Sequence, residues 1–302
     1  EGNRAVIAGS KAIYLFEHRG SQWVQTAKIV LTATDTFFGR EIALEHGVIV
    51  ASSLHQDDDL SESVVHVYQH LRRGVLSRTA VIRPRNGVAG EEFGTGLALD
   101  GRLLVVGAPH SQGPGAAYVY VRLGHRWIQI DRLMASDATA SDRFGESVGI
   151  RAGVIVVGAP GADLGFPPEE CCGPLHGNAY VFRLARYGWY ESQKLNQQGV
   201  EPIYVGVGRD VAMGRGLLAL FQNDNHLQIR NVQRALVFDW VDGEFQFGQQ
   251  VVSVEDGTVP DIDLAGRTLI VSTAVIPDYY VRSSAAILVF GRDAQAPPAS
   301  AK

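Results

Sequence analysis

The chain has 302 residues, of which 46% are hydrophobic and 20% charged, so it can bury a large core. A formal net charge of −5 and a pI near 6.0 argue against a nucleic-acid surface and against a polybasic membrane patch. Apolar runs such as residues 103–106 and 154–157 have the length of strands, well short of the ~18 residues that span a bilayer. Composition therefore predicts a folded chain with no transmembrane segment and no nucleic-acid partner.

A recurring segment organises the chain. Three strand-like stretches come first, at residues 4–8, 11–17 and 23–31. A segment that opens with Phe-Gly and runs into an apolar stretch then starts near residues 38, 93 and 144, and weaker copies start near 207 and 258. A period of about fifty residues is typical of propellers and solenoids.

Two further elements recur in each repeat. One is an apolar or aromatic pair with a single residue between its members, the period of a strand packed on one face. The copies are Tyr14/Phe16, His66/Tyr68, Tyr118/Tyr120, Tyr180/Phe182, Leu236/Phe238 and Leu288/Phe290. The other element begins at Trp23, Trp127, Trp189 or Phe245 and continues with alternating residues.

Each repeat therefore reads as four short strands, and no stretch shows a helical apolar stripe. We predict an all-β fold, a β-propeller of six or seven four-stranded blades, with a sandwich or a solenoid as the alternatives. The first unit lacks a first strand and the last unit lacks a fourth, so both end blades are expected to be incomplete. Residues 1–292 form one predicted domain, and the Ala/Pro-rich residues 293–302 form a predicted disordered tail.

The repeat motifs resemble a known family. The resemblance is carried by two recurring motifs, Phe-Gly at the head of the first strand and Gly-Ala-Pro at the end of the second. Their copies are Phe38-Gly39, Phe93-Gly94, Phe144-Gly145, Gly107-Ala108-Pro109 and Gly158-Ala159-Pro160. The pattern resembles the FG-GAP repeat of the integrin α propeller, in its short bacterial-type form. It covers nearly the whole chain and is degenerate after Val200.

The calcium loops of that family are missing from this sequence. Family members that bind calcium do so between the first and second strands, through a loop rich in aspartate. Here those connections are short hairpins with at most one carboxylate each, at residues 45–47, 99–102, 150–153, 214–216 and 265–267. Calcium requires six to eight oxygen ligands. No cofactor is therefore expected; calcium binding stays an alternative, although the family's calcium loops are absent.

The resemblance implies that the connections between strands two and three emerge on one ligand-binding face. They are unequal and polar, at residues 52–63, 108–116, 159–178, 222–234 and 273–284. Loops on a rigid scaffold commonly carry function. The candidate binding residues are His55, Asp57, Asp58, Asp59, His110, Asp163, Phe166, Glu169, Glu170, His176, Asn223, Asp224, His226, Asp278, Tyr279 and Tyr280. Four of the histidines could meet at a transition metal, or they are solvated loop residues on separate blades.

Cys171 and Cys172 are adjacent and are the only cysteines in the chain. They could form a vicinal disulfide in an oxidising compartment, remain free thiols, or pair with another chain. Mass spectrometry of alkylated protein with and without reductant distinguishes these states. A disulfide would favour a secreted, periplasmic or cell-surface protein.

Several polar residues are better explained by structure than by chemistry. Asp35, Asp137 and Asp142 precede the Phe-Gly motifs and are expected to bond loop amides. His66 occupies a core aromatic position and is expected to be packed.

No catalytic or nucleotide-binding motif is present. We therefore predict a non-enzymatic recognition or adhesion module whose partner is a protein or a glycan. The alternatives are a structural subunit held by neighbouring subunits of an assembly, and an enzyme with a site at the propeller axis.

Overall fold

The computed structural model describes residues 3–9, 12–30, 35–36, 41–57, 60–70, 76–88, 90–111, 113–162, 177–195, 206–224, 232–254, 257–258, 262–265, 268–275 and 284–291. In these ranges the chain forms strands and turns without helices, so no helix there could cross a membrane. The strands make six antiparallel sheets, which we number in chain order.

Sheets 1 and 2 come from the first 82 residues. Sheet 1 has three strands in sequential order, β1 (Arg4–Gly9), β2 (Ala12–Arg19) and β3 (Gln22–Val30). Sheet 2 consists of β4 (Asp35–Thr36), β5 (Ile42–Glu45), β6 (Val48–Asp57), β7 (Leu60–His70) and β8 (Leu76–Ile82). Both β4 and β5 pair with β6, so they share one side of that strand.

Sheets 3 and 4 are four-stranded meanders with matching dimensions. The strands of sheet 3 are β9 (Leu97–Asp100), β10 (Leu103–Ala108), β11 (Ala116–Leu123) and β12 (Arg126–Leu133). The strands of sheet 4 are β13 (Val148–Arg151), β14 (Val154–Ala159), β15 (Asn178–Ala185) and β16 (Gly188–Leu195).

Sheet 5 repeats the four-stranded meander, whereas the strands of sheet 6 pair in a different order. The strands of sheet 5 are β17 (Asp210–Met213), β18 (Leu217–Asp224), β19 (Val232–Val241) and β20 (Glu244–Val254). The strands of sheet 6 are β21 (Gly257–Thr258), β22 (Ile262–Ala265), β23 (Thr268–Val275) and β24 (Ser284–Gly291). As in sheet 2, a two-residue strand, β21, pairs with the far end of a long second strand, β23.

Strand composition follows position within a sheet. The second strand lies between two paired neighbours and between two adjacent sheets, so β10 and β14 are continuous apolar runs that are buried almost throughout. The fourth strand lies at an edge, and in β12 exposed residues alternate with half-buried ones over its first half.

The six sheets are the blades of a β-propeller. The first strands of consecutive sheets lie side by side, as β5 with β9, β9 with β13, β13 with β17 and β17 with β22. Each buried apolar cluster contains residues from two consecutive sheets, as when Val105 and Val119 of sheet 3 pack with Ile155 and Val157 of sheet 4. The predicted fold class is confirmed.

Contact between blades explains the two recurring motifs. Phe93 and Phe144 are 2% and 0% exposed, each wedged between its own sheet and the preceding one. The glycines that follow them, Gly94 and Gly145, have φ values of +94° and +97°, which glycine adopts without strain. A Cβ on Gly107 would lie 1.9 Å from the Gly145 carbonyl oxygen, so the Gly-Ala-Pro glycine of one blade packs against the Phe-Gly glycine of the next.

Candidate functional site

The connections from strand two to strand three and from strand four to the next strand one lie at the same end of the blades. We call this end the loop face. The short connections between strands one and two lie at the opposite end, which we call the hairpin face. The predicted tight hairpins are confirmed, since two residues separate β9 from β10 and two separate β13 from β14.

A buried carboxylate supports the loop face of sheet 3. Glu91 is 5% exposed, and its Oε2 accepts hydrogen bonds from Ser111 Oγ at 3.0 Å and from the Tyr118 hydroxyl at 3.2 Å. The two hydroxyl oxygens also lie 3.0 Å apart. These bonds connect the segment before Phe93 to the segment after β10, so Glu91 has a structural role in this face.

Sheet 4 has a related arrangement built from two aspartates. Asp142 is 2% exposed and accepts a hydrogen bond from Thr139 N at 2.8 Å, and another from the Thr139 hydroxyl. This bond to a loop amide confirms the structural role predicted for Asp142. Asp137 instead accepts from the Tyr180 hydroxyl at 2.8 Å and forms an ion pair with Lys194.

A tyrosine and a cation lie opposite each other on strands three and four of three blades. The cross-strand pairs are Tyr14 with Lys28, Tyr118 with Arg132, and Tyr180 with Lys194. Each cation lies 5.5 to 5.8 Å from the tyrosine ring centroid, within the range of a cation–π contact. This cation–π contact is therefore a recurring feature of the blades.

Burial and hydrogen bonding shift the acid–base behaviour of this cluster. Burial raises the pKa of Tyr180 strongly, and the hydrogen bond that it donates to Asp137 raises it further. Burial also opposes ionisation of Asp137. Hydrogen bonds from Lys194 and Tyr180 together outweigh that effect and lower the pKa of Asp137 below its usual value.

Changing Asp137 to Asn should therefore produce a pH-dependent loss of stability. Because the Asp137 side chain is 47% exposed, solvent screening limits the loss at pH 7 to under about 1 kcal/mol. The unfolded pKa is about 3.9 and the folded pKa is lower, so the wild-type advantage is full above about pH 4 and disappears as pH falls through the folded value. Urea unfolding between pH 7 and strongly acidic pH measures it, with the exposed turn residue changed in Asp242→Asn as the control. A difference that stays constant into strong acid would contradict this assignment.

Among the predicted binding residues, His110 is the one whose backbone and side chain are both described. It lies directly after Pro109 on the loop face, with Nδ1 3.5 Å from Glu92 Oε1. The two side chains are 47% and 40% exposed. This is a solvated pair at the rim of the face.

Four other predicted site residues are described in backbone only. His55 and Asp57 belong to β6, and Asn223 and Asp224 belong to β18. The predicted connections 52–63, 222–234 and 273–284 are wrong in their bounds, because β6, β7, β18, β19, β23 and β24 extend into them. Backbone hydrogen bonding does not depend on side-chain polarity, so polar segments continue the ladders.

The remaining candidates lie outside the described residues. They are Asp58, Asp59, Asp163, Phe166, Glu169, Glu170, His176, His226, Asp278, Tyr279 and Tyr280, together with Cys171, Cys172, Phe38 and Gly39. Within the described ranges, no group of three or more His, Cys, Asp and Glu side chains is arranged to hold a metal ion. His66 is 3% exposed with Nε2 2.7 Å from Ser53 Oγ, which confirms that it is packed.

Sequence reasoning missed Asn178, the first residue of β15. It is fully buried, and neither its Oδ1 nor its Nδ2 has a hydrogen-bond partner in the described part of the protein. Ala116 occupies the equivalent register position in sheet 3, since Ala108 pairs with Ala116 as Ala159 pairs with Asn178. A comparison of the two blades would have shown a polar residue in an apolar position at the end of the longest connection.

Comparison with known proteins supports the family resemblance. Residues 76–120 and 127–182 match the model of the FG-GAP repeat. No curated protein matches the chain by sequence.

Solved structures share the fold at low identity. A Bacteroides fragilis protein provisionally assigned as a 6-phosphogluconolactonase superposes with a TM-score of 0.57 at 10% identity, covering 96% of this chain and 81% of that one. Kuenenia stuttgartiensis hydrazine synthase has a TM-score of 0.53 at 13% identity, covering 86% of this chain and 65% of that one. A second such lactonase, from Bacteroides uniformis, has a TM-score of 0.51 at 13% identity, covering 90% and 77%. At these identities the similarity concerns the fold alone.

Proposed function

Because the chain is an FG-GAP repeat β-propeller, we propose that it is a non-enzymatic recognition module that acts outside the cytoplasm. Its partner is a protein or a glycan, bound by the connections between strands two and three on the loop face. The proposal rests on one observation, a rigid and repeated scaffold that carries unequal connections at one end.

Sheets 3 and 4 provide the clearest comparison. Their second and third strands pair in the same register, yet sheet 3 joins them through residues 109–115 and sheet 4 through residues 160–177. Both connections begin with proline and end with glycine. The glycines Gly115 and Gly177 make equivalent parallel bridges, to Phe144 and Val207. The longer connection is thus an insertion on an unchanged frame, which is where specificity is expected on a scaffold protein.

Three carboxylates beneath the loop face are hydrogen-bonded to other residues of the blades. Glu91 and Asp142 are buried and hydrogen-bonded within their own blades, and Asp137 is engaged by Tyr180 and Lys194. Carboxylates whose hydrogen bonds are satisfied within the protein are better suited to stabilising the loop face than to transferring a proton to a substrate. Asn178 differs, because its buried side-chain amide has no hydrogen-bond partner among the described residues, and an unpaired buried amide costs roughly 1–3 kcal/mol. It lies directly after the longest connection.

The proposed compartment depends on a Cys171–Cys172 disulfide, which lies outside the described residues. The alkylation measurement described above tests it, since two free thiols in the native protein would remove this argument.

Grafting one connection onto the other tests the proposed function. Residues 160–177 are replaced by residues 109–115, which the shared strand register should accommodate without unfolding the blade. Native protein is then screened against an immobilised glycan array and a phage-displayed peptide library. We expect native protein to select a ligand that the grafted protein binds at least about tenfold more weakly, a loss of ~1.4 kcal/mol.

The matched control changes the other end of the same sheet. Replacing Arg186 and Tyr187 by alanine alters the exposed turn between β15 and β16 and should leave ligand binding unchanged. Equal binding by the grafted protein, or failure of both libraries to yield any ligand, would contradict the proposal.

A further inference from the structure

A cavity opens on the hairpin face between sheets 4 and 5. Its volume is about 270 Å³, just below the range of roughly 300–1,000 Å³ for small-molecule sites. The residues that matter for its chemistry are Arg151 from sheet 4 and Met213, Arg215, Leu217, Trp240 and Phe245 from sheet 5. It lies at the opposite end of the blades from the loop face, so it is separate from the function proposed above.

The cavity coincides with a break in a repeated contact between hairpins. The last residue of strand one in sheet 2, Glu45, accepts a hydrogen bond through Oε2 from Gly101 N at 2.6 Å. Asp100, in the same position of sheet 3, accepts through Oδ2 from Ala152 N, also at 2.6 Å. These carboxylates join sheet 2 to sheet 3 and sheet 3 to sheet 4.

Arginine replaces the carboxylate at the next position. Arg151 is the last residue of β13, and its side chain has no hydrogen-bond acceptor to offer to the following hairpin. The corresponding amide, Gly214 N, donates instead within its own hairpin, to Leu217 O at 2.9 Å. The cavity therefore lies where the side-chain bridge between neighbouring hairpins is lost.

The cavity wall is apolar and aromatic. Leu217 and Phe245 are 2% and 5% exposed, and the rings of Trp240 and Phe245 meet edge to face with centroids 4.8 Å apart. The main-chain N of Trp240 donates to Gly216 O at 3.0 Å, which joins the backbone of this residue to the hairpin between β17 and β18. Such a wall favours a planar or branched apolar group.

Two arginines line the cavity together with this apolar wall. Arg151 and Arg215 are exposed, and neither has an ion pair or a side-chain hydrogen bond within the described part of the chain. The lining contains no acidic residue. A third cation, Arg183, lies 5.6 Å from the Trp240 ring centroid and donates to Gly243 O at 3.2 Å. In a chain with a net charge of −5, this is a local concentration of guanidinium groups.

We propose that this cavity binds a small organic anion with an aromatic body, of the arylalkyl carboxylate class. The ring would pack against Trp240, Phe245 and Met213, and the carboxylate would be bound by Arg151 and Arg215. Guanidinium groups bind carboxylates in a bidentate geometry, and a nearby apolar wall strengthens that attraction by excluding water.

The two methionines of the chain allow a direct test. Met213 lines the cavity, whereas Met134 is 40% exposed at the end of sheet 3. In protein labelled at the methionine methyl carbons, NMR gives one signal for each, and Met134→Leu assigns them. On titration with 3-phenylpropionate we expect a saturable shift of the Met213 signal and a constant Met134 signal.

Matched probes and variants separate charge from simple apolar binding. The uncharged 3-phenylpropionamide, and the carboxylate on an Arg151→Gln/Arg215→Gln double variant, should each bind about tenfold more weakly than the carboxylate on the native protein. Arg126→Gln, which removes an exposed arginine of sheet 3, should change affinity by less than about twofold. A Met213 signal that does not move, equal affinity for the amide, or unchanged affinity of the double variant would each overturn the proposal.

Discussion

Replacing Gly107 by alanine is expected to destabilise the propeller by about 3 kcal/mol or more. A Cβ at this position would lie 1.9 Å from the carbonyl oxygen of Gly145 and 3.2 Å from its Cα. These are backbone atoms and cannot rotate away, so sheets 3 and 4 would have to separate locally. Separation would also strain the hydrogen bond between the two repeats, in which Phe144 N donates to Pro114 O at 2.8 Å.

Gly101→Ala is the matched control for this substitution. Gly101 has a φ of +60°, but its Cβ would have no heavy atom within 4 Å. Its replacement therefore introduces only the left-handed strain of an L-residue, roughly 1–2 kcal/mol. Denaturant unfolding and thermal melting followed by circular dichroism measure both variants. If the two lost the same stability, the close approach of blades would not be what requires glycine at position 107.

The sequence was most informative where one blade repeats another. Phe-Gly, the apolar second strand and the alternating third strand are local patterns, so they predicted strands, hairpins and blade order. They also placed Phe93 and Phe144 at the same point of successive repeats, and the structure shows both rings buried. The short connections between strands one and two were equally visible, since hairpin length can be read from the sequence.

Contacts between blades cannot be predicted from such local sequence patterns. Gly107 and Gly145 belong to different sheets, and only the structure shows that their backbones touch. Polar composition predicts loops over the long connections, but strands continue into them, and β6 and β7 remain paired from Asp57 and Leu60 inward.

One departure from the repeat could have indicated the hairpin-face cavity. Aligned hairpins place Glu45 and Asp100 in register with Arg151, a change from carboxylate to guanidinium. The sequence does not show that Glu45 and Asp100 accept hydrogen bonds from Gly101 N and Ala152 N. Without those contacts, the change to arginine at position 151 has no evident consequence.

Truncating Phe144 to alanine is expected to cost about 3–5 kcal/mol, the range for a buried aromatic side chain. The ring has no exposed surface and lies in the core between sheets 3 and 4. Its centroid lies 5.6 Å from that of Tyr180 and 5.9 Å from that of Phe182, the latter nearly perpendicular. Alanine would leave a cavity that strands held on both sides by neighbouring blades cannot easily collapse to fill.

Phe247→Ala provides the comparison, because this phenylalanine of β20 is 42% exposed. Its loss should cost under about 1 kcal/mol. Equal and small losses for the two variants, in the same denaturant experiment, would contradict the burial of Phe144 between blades.

The shape of the melting curve carries a second expectation for Phe144→Ala. The core is divided into clusters, each shared by two consecutive sheets, so sheet 4 takes part in the clusters on both of its sides. Weakening the cluster between sheets 3 and 4 therefore also weakens the neighbouring clusters, because they contain residues of the same two sheets. We expect one transition at a lower temperature and not two. A new early transition, with the rest of the melt unmoved, would show that the blades on either side of Phe144 unfold independently.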